Sequence, residues 1–169
     1  STGRLSSIAQ GEGRIFQNFI TISPIPGAAE YTGINEAINE AIGTQNGYYL
    51  NGVLTSNIGS APSPTYPFVL QVAQGQYSEV LNQIILPDYV SIRGESNYNT
   101  VITQNSGQTN LVDASMIYAG NNSEIKDIVI KLADSNTSLN SAGIYSENKS
   151  NVVINNCIVN TSSNSSTYG

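Results

Sequence analysis

The sequence predicts an all-β fold: a single-stranded parallel β-helix, or solenoid, entered through one N-terminal capping α-helix. Three observations predict it. Short β-branched runs follow Pro67, similar runs recur along the chain with a period of about 30 residues, and only one stretch has a clear helical pattern.

Composition excludes several function classes. The chain has 169 residues, of which 39% are hydrophobic and only 11% charged, less than half the usual charged fraction. Its 21 Asn and 22 Ser favour turns over long helices. The net charge is −6 and the cations are scattered, so we expect no nucleic-acid partner. No apolar run is long enough to predict membrane insertion.

The repeated strands set the predicted architecture. Equivalent isoleucines recur at similar intervals, with Ile92, Ile125 and Ile154 in one series and Ile117 and Ile144 in another. The runs lie at 68–72, 84–86, 90–93, 100–103, 116–118, 125–131, 143–145 and 152–159. Several short strands per repeat, without intervening helices, are typical of a solenoid whose turns stack their apolar side chains.

An antiparallel sandwich or jelly roll is the alternative, because it too has many short strands. Hairpin signals are mostly absent after Phe68, and the paired runs within 125–131 favour a chain that turns a corner and continues. We therefore predict the solenoid.

The regions before the repeats differ from them. Residues 1–30 are interpreted as an irregular leader or anchoring segment that contains one strand near 15–22. Apolar residues spaced at three and four predict the capping helix over 32–42, with Thr32 as N-cap. Residues 44–67 form a turn-rich insertion with a short hairpin at 48–54. The β-helix domain is predicted over 31–169, with coils at 68–160, and is expected to continue beyond 169.

The order of these elements resembles a known family. A helix with Ile34-Asn35-Glu36-Ala37-Ile38 precedes a strand, then a Gly75-x-Tyr77-x-Glu79 step, an apolar pair at 84–85, and a coil with Ile92-Arg93-Gly94 that ends in Thr100-Val101-Ile102. This resembles the pectin lyase-like right-handed parallel β-helix superfamily, nearest to the N-terminal part of pectinesterases. The resemblance covers about residues 31–160 and implies a right-handed β-helix.

The chain departs from that family where its chemistry would begin. The Gln that pectinesterases carry after the coil at 125–130 is replaced around Ser141 and Ala142, no Gln-Asp pair follows, and no Arg occurs after Arg93. The clustered carboxylates and catalytic Arg of calcium-dependent pectate lyases cannot be placed either. The sequence therefore predicts no catalytic, cofactor-binding or metal-binding residue and no cofactor.

Charged residues and the single cysteine have structural interpretations. Asp113, Asp127 and Asp134 are the aspartates available for acid–base work, and Asp127, with Lys126 beside it, is interpreted as part of a solvated charge cluster. For Arg93, a salt bridge with Glu79 or Glu95 is favoured over an anionic sugar. Since His is absent, the single Cys157 is interpreted as a small buried hydrophobe; this composition also excludes a zinc site and an intrachain disulfide.

Tyrosines and asparagines leave alternatives open. Tyrosines can stack on sugar rings or cover strand edges and subunit contacts; they include Tyr48, Tyr49, Tyr66, Tyr77, Tyr89, Tyr98, Tyr118 and Tyr145. Asn-x-Ser/Thr is the acceptor sequence for N-glycosylation, but in a chain so rich in Asn and Ser chance occurrence is favoured. These sequences occur at Asn121, Asn136, Asn148, Asn160 and Asn164.

We expect a non-catalytic structural or adhesive module of a virion or cell surface, such as a fibre, decoration or tailspike-like part. Its expected partners are other virion or surface proteins, a second copy of the chain, or a glycan. Its expected location is extracellular or on the virion surface. The alternative is a polysaccharide-active enzyme of the pectinesterase or pectate lyase type whose catalytic coils are missing or diverged.

Overall fold

The structure is mostly parallel β-sheet with one short helix, which confirms the predicted all-β class. It is a computed structural model that describes residues 5–8, 16–42, 49–50, 53–54, 62–78, 83–104, 115–132, 141–161 and 167–168. The strands are β1 (Leu5–Ile8), β2 (Phe16–Ile22), β3 (Tyr49–Leu50), β4 (Val53–Leu54), β5 (Phe68–Val72), β6 (Gly75–Ser78), β7 (Ile84–Ile85), β8 (Val90–Gly94), β9 (Thr100–Gln104), β10 (Ser115–Tyr118), β11 (Ser123–Lys126), β12 (Val129–Leu132), β13 (Ser141–Tyr145), β14 (Val152–Asn155), β15 (Ile158–Thr161) and β16 (Thr167–Tyr168).

Three sheets hold all but two of these strands. Sheet 1 has the order β1-β2-β5-β8-β11-β14, sheet 2 the order β15-β12-β9-β6, and sheet 3 the order β16-β13-β10-β7. From β5 onward the chain visits sheets 1, 2 and 3 in that order four times, and we call each visit a layer: β5–β7, β8–β10, β11–β13 and β14–β16. The remaining pair, β3 and β4, is antiparallel, which confirms the hairpin predicted within 48–54.

Neighbouring layers pair in parallel and in the register that the repeat predicts. Ile92 lies opposite Ile125, and Ile125 lies opposite Ile154. In sheet 3, Ile117 lies opposite Ile144. The predicted isoleucine pairings are therefore confirmed, and the apolar side chains of successive layers form continuous columns.

Left-handed residues mark the corners within the segments 125–131 and 152–159. Asp127 and Asn156, at φ 55° and 52°, separate β11 from β12 and β14 from β15. Asn and Asp enter this backbone region more readily than other non-glycine residues. The Asn156 side-chain amide also donates to Asp127 Oδ1 at 2.6 Å. The corner predicted within 125–131 is therefore confirmed, and Asp127 lies at that corner rather than within a strand.

A short helix covers the β2 end of the core. It comprises an α-helical turn, α1 (Ile34–Ala37), followed by a π-helical turn (Ile38–Ile42), rather than one α-helix over 32–42. Thr32 does not act as N-cap; instead, the Glu36 carboxylate accepts hydrogen bonds from the Thr32 and Gly33 backbone N–H groups. The predicted apolar face is buried as expected: Ile34, Ala37, Ile38, Ala41 and Ile42. No helix in the described ranges is long and apolar enough to cross a membrane.

The strand expected near 15–22 is present as β2, and it belongs to the main sheet. It pairs with β1 on one side, antiparallel, and with β5 on the other, parallel. Its Ile20 and Ile22 are fully buried in the same core as the helix. The segment before the repeats thus contributes two strands to sheet 1, β1 and β2, rather than the one strand predicted.

The Gly75-x-Tyr77 step joins β2 to the first layer. Gly75 has φ 146°, and a Cβ there would clash with the Pro24 ring, so glycine is required. The buried Tyr77 hydroxyl donates to the carbonyls of Ala73, at 2.9 Å, and Ile22, at 3.3 Å. Burial, and secondarily the Glu95 carboxylate, raise the pKa of Tyr77 to about 12.

Candidate functional site

The outer side of sheet 3 presents a tyrosine pair, which we call the tyrosine face. Alternation along the strands buries Ile84 and Ile117 and directs the next residues, Ile85, Tyr118 and Tyr145, to the opposite side. Because the strands pair in register, the rings of Tyr118 and Tyr145 stack, with centroids 5.8 Å apart and planes inclined by 27°.

Polar groups surround the tyrosine face. The Tyr118 hydroxyl donates to the Glu147 carbonyl at 3.5 Å, and the Tyr145 hydroxyl donates to Glu147 Oε2 at 3.4 Å. Lys149 Nζ lies 5.8 Å from the Tyr118 ring centroid and 4.0 Å from Asp88 Oδ1. Desolvation, then the Glu147 carboxylate, raise the pKa of Tyr145.

A polar column fixes the corner beside the tyrosine face. Asp88 accepts hydrogen bonds from the backbone and side-chain N–H groups of Asn121, at 2.8 and 3.0 Å. Asn121 Oδ1 in turn accepts from the Ser150 backbone N–H at 2.9 Å. Burial alone would raise the pKa of Asp88, but the Asn121 hydrogen bonds and the Lys149 charge bring it below its ordinary value. Hydrogen bonds therefore join three successive corners, and the two that Asp88 accepts are charge-assisted.

A concave surface lies over the carboxyl ends of β2, β5 and β8. It is a cavity of about 470 Å³ whose polar lining includes Thr21, Gln71, Arg93 and Glu95. The predicted salt bridge between Arg93 and Glu95 does not form; Glu95 Oε2 instead accepts from the Gln74 backbone N–H at 2.9 Å. Glu79, the other partner predicted for Arg93, lies outside the described residues.

Asp127 and Cys157 have the surroundings of structural residues. Asp127 forms an ion pair with Lys126 at 3.9 Å, as a surface charge cluster would. Cys157 packs partly buried against the core, and desolvation raises the pKa of its thiol, in agreement with a small hydrophobe. Asp113 and Asp134 lie outside the described residues. Within the described ranges, no three His, Cys, Asp or Glu residues are grouped as metal ligands usually are.

The other tyrosines occupy varied positions. Tyr66 packs edge-to-face on Phe68, with centroids 5.6 Å apart, while Tyr77 is a core residue. Tyr98 is 72% exposed and stands on the loop between β8 and β9. Tyr89 has φ 63° at the corner before β8, and Tyr49 lies in β3. Tyr48 lies outside the described residues.

The Asn-x-Ser/Thr positions also differ. Asn121 uses its side-chain amide for Asp88, so this group is already engaged. Asn148 and Asn160 are exposed. Asn136 and Asn164 lie outside the described residues.

The polar and charged residues around the tyrosine face were not identified from the sequence. Asp88, Asn121 and Ser150 follow one another along the chain at the same two intervals as the isoleucines of sheet 1. That periodicity could have identified the polar column. Glu147 and Lys149 have no equivalent signal, because their positions depend on how one loop folds beside the sheet.

No protein-family model matches the chain, and no curated protein or solved structure does. The resemblance to the pectin lyase-like superfamily stays a prediction.

Proposed function

We propose that the chain is a right-handed parallel β-helix that acts as a structural or adhesive module of a virion or cell surface and binds neutral glycans at the tyrosine face. The fixed order in which the chain visits the three parallel sheets supports the β-helix. Connections between parallel strands of one sheet are almost always right-handed, which supports the handedness. An experimental structure with left-handed winding, or with antiparallel pairing between layers, would overturn this part of the proposal.

Continuous columns support a mechanical role. Apolar columns inside and polar columns at the corners tie each layer to its neighbours, so the repeated part resists bending as one unit. Such a body suits a fibre, decoration or tailspike-like part that meets other surface proteins or copies of itself outside the cell.

The tyrosine face is the observation that carries the binding function. A sugar ring has apolar C–H groups beside hydroxyls, and partly exposed tyrosines offer the matching apolar rings and polar hydroxyls. Glu147 can accept hydrogen bonds from sugar hydroxyls, and Lys149 can donate to them. Lys149 offsets the charge of Asp88, and the remaining Glu147 carboxylate disfavours an anionic ligand, so this surface suits a neutral one.

Binding to an array of neutral oligosaccharides tests this function. We expect Tyr118→Ala and Tyr145→Ala each to weaken binding about three- to tenfold. Tyr98→Ala is the matched control, because Tyr98 is an exposed tyrosine on the loop between β8 and β9 rather than on sheet 3. If the unmodified chain binds no neutral glycan, or if Tyr98→Ala weakens binding as much, the tyrosine face is not a glycan site.

A polysaccharide-active enzyme is the second candidate, and the cavity that Arg93 lines is the observation that favours it. An Arg side chain could hold an acidic sugar there. Two assays separate the candidates: methanol release from methylated pectin, and unsaturated products from polygalacturonate with calcium present. We expect neither product above background; a product that disappears in Arg93→Gln would favour the enzyme.

A further inference from the structure

The cavity over sheet 1 has the features of a second binding site. Its volume of about 470 Å³ falls within the range usual for small-molecule sites. Ala28 and Ala29 line part of it with apolar groups, and polar side chains line the rest. A mostly apolar surface with a few polar groups is the usual lining of a ligand site.

Three neighbouring strands supply an ordered row of polar side chains. Thr21 lies opposite Gln71, and Gln71 lies opposite Arg93. Neighbouring strands are about 4.8 Å apart, so the row spans roughly 10 Å. The three side chains thus provide a hydroxyl, an amide and a guanidinium along one wall of the cavity.

Arg93 is the available cation in this row. Its side chain is exposed. No carboxylate of a described residue lies close enough to the Arg93 guanidinium, within 4.0 Å, to form an ion pair with it. The next residue in the same column, Lys126, is paired with Asp127 at 3.9 Å. Arg93 therefore keeps its fork of N–H donors for a ligand, and a carboxylate matches that fork with two parallel hydrogen bonds.

Glu95 adds an acceptor to the same cavity. Its Oε2 atom is oriented by the Gln74 N–H, and it stands two residues after Arg93. A carboxylate here repels a purely anionic ligand, but it accepts hydrogen bonds from hydroxyl or ammonium groups. The cavity thus selects for a carboxylate accompanied by donors.

We propose that this cavity binds a small ligand that carries a carboxylate flanked by hydroxyl or ammonium donors. The carboxylate lies against Arg93, the donors face Glu95 and Gln71, and the body of the ligand packs on Ala28 and Ala29. A sugar acid and an α-amino acid both carry this chemistry. The site shares no residue with the tyrosine face and does not depend on it.

Titrations followed by backbone amide NMR test the proposal. The probes are glucuronate and alanine, with glucose, which lacks the carboxylate, and acetate, which lacks the donors, as matched controls. We expect glucuronate or alanine to shift the amides of residues 71–73 and 93–95, and to bind more tightly than either control. Whichever of the two probes binds identifies the source of the carboxylate.

Two variants locate the effect. Arg93→Gln should weaken binding about tenfold, because it removes a charged hydrogen-bonding group. Lys126→Gln removes a cation from the same column outside the cavity and should leave affinity unchanged. Both side chains lie at the surface, so equal thermal midpoints for the variants will show that folding is intact.

Three results overturn the proposal. The first is that neither glucuronate nor alanine shifts these amides. The second is that one of the controls, acetate or glucose, binds as tightly as glucuronate and alanine do. The third is that Arg93→Gln and Lys126→Gln weaken binding equally, which would indicate diffuse attraction to surface cations.

Discussion

The two ends of one apolar column differ in their exposure to solvent. The column runs through sheet 1 as Ile20, Leu70, Ile92, Ile125 and Ile154. Ile20 is fully buried at one end, whereas Ile154 is 54% exposed at the other. Both residues are isoleucine, so the difference in their exposure comes from what lies next to them.

At the Ile20 end, other elements complete the core. The strand β1 pairs with the outer edge of β2, and the short helix packs Ile34, Ile38 and Ile42 into the same apolar cluster. At the Ile154 end, β14 pairs with β11 alone among the described strands, and its Val153 is 51% exposed. Burial of a column residue thus needs both a partner row and a covering element.

The largest expected effect is at the covered end. Ile38→Asp places an unpaired charge in the core, so we expect a loss of more than about 4 kcal/mol in the free energy of unfolding, or aggregation. Asn39→Asp adds the same charge beside it on a partly exposed position and is the control. Urea unfolding measures both. Equal stability of the two variants would show that the helix does not complete the core.

The column itself gives the next largest effect. Ile125→Ala removes a fully buried side chain and should cost about 2–4 kcal/mol. Ile154→Ala makes the same change at the exposed end and should cost less than about 1 kcal/mol. Comparable losses in urea unfolding would show that the Ile154 end is covered in solution.

The link between β2 and the first layer gives a smaller effect. Tyr77→Phe removes the hydroxyl that donates to Ala73 and Ile22 and should cost about 1 kcal/mol in urea unfolding.

The same residue predicts a pH dependence. The pKa of Tyr77 is about 12 when folded and 10.0 in its ordinary state, so the unfolded chain releases this proton first as pH rises. The contribution of Tyr77 to the free energy of unfolding should therefore be constant below pH 10 and fall between pH 10 and 12. Denaturation midpoints across this range should fall less steeply for Tyr77→Phe; an unchanged slope would contradict the assignment.

The corner of the exposed end gives the smallest effect. Asn151 has φ 55° and its side-chain amide donates to Asn122 Oδ1 at 2.8 Å. Asn151→Ala should cost up to about 1 kcal/mol because alanine is strained in the left-handed region. Asn151→Gly relieves that strain and should cost less. The reverse order in thermal or urea unfolding would mean that the hydrogen bond, not the backbone, holds this corner.

Much of the register could be predicted from the sequence, because apolar spacing reports which side chains share a column. The isoleucine repeat at Ile92, Ile125 and Ile154 is an example. The exposure of Ile154 could not be predicted, since periodicity does not show which end of a column is covered. Nor could β6 (Gly75–Ser78), whose Gly, Gln and Ser residues have little strand propensity.

The two candidate sites were harder to predict for a related reason. Tyr118 and Tyr145 are conspicuous in the sequence, yet their stacking depends on the register that also pairs Ile117 with Ile144. The cavity at Arg93 depends on a loop that brings Ala28 and Ala29 back over three strands. The position of such a loop depends on long-range packing, which local sequence patterns do not predict.

The corner between β8 and β9 has an implication for protein engineering. Residues 95–99 occupy it, whereas only Asp127 and Ile128 occupy the equivalent corner one layer later, and the flanking strands stay paired in register. Loop closure becomes costlier only slowly as a loop lengthens. This corner therefore already accommodates inserted sequence, and its exposed tip at Tyr98 is a natural place to graft a foreign peptide epitope for display.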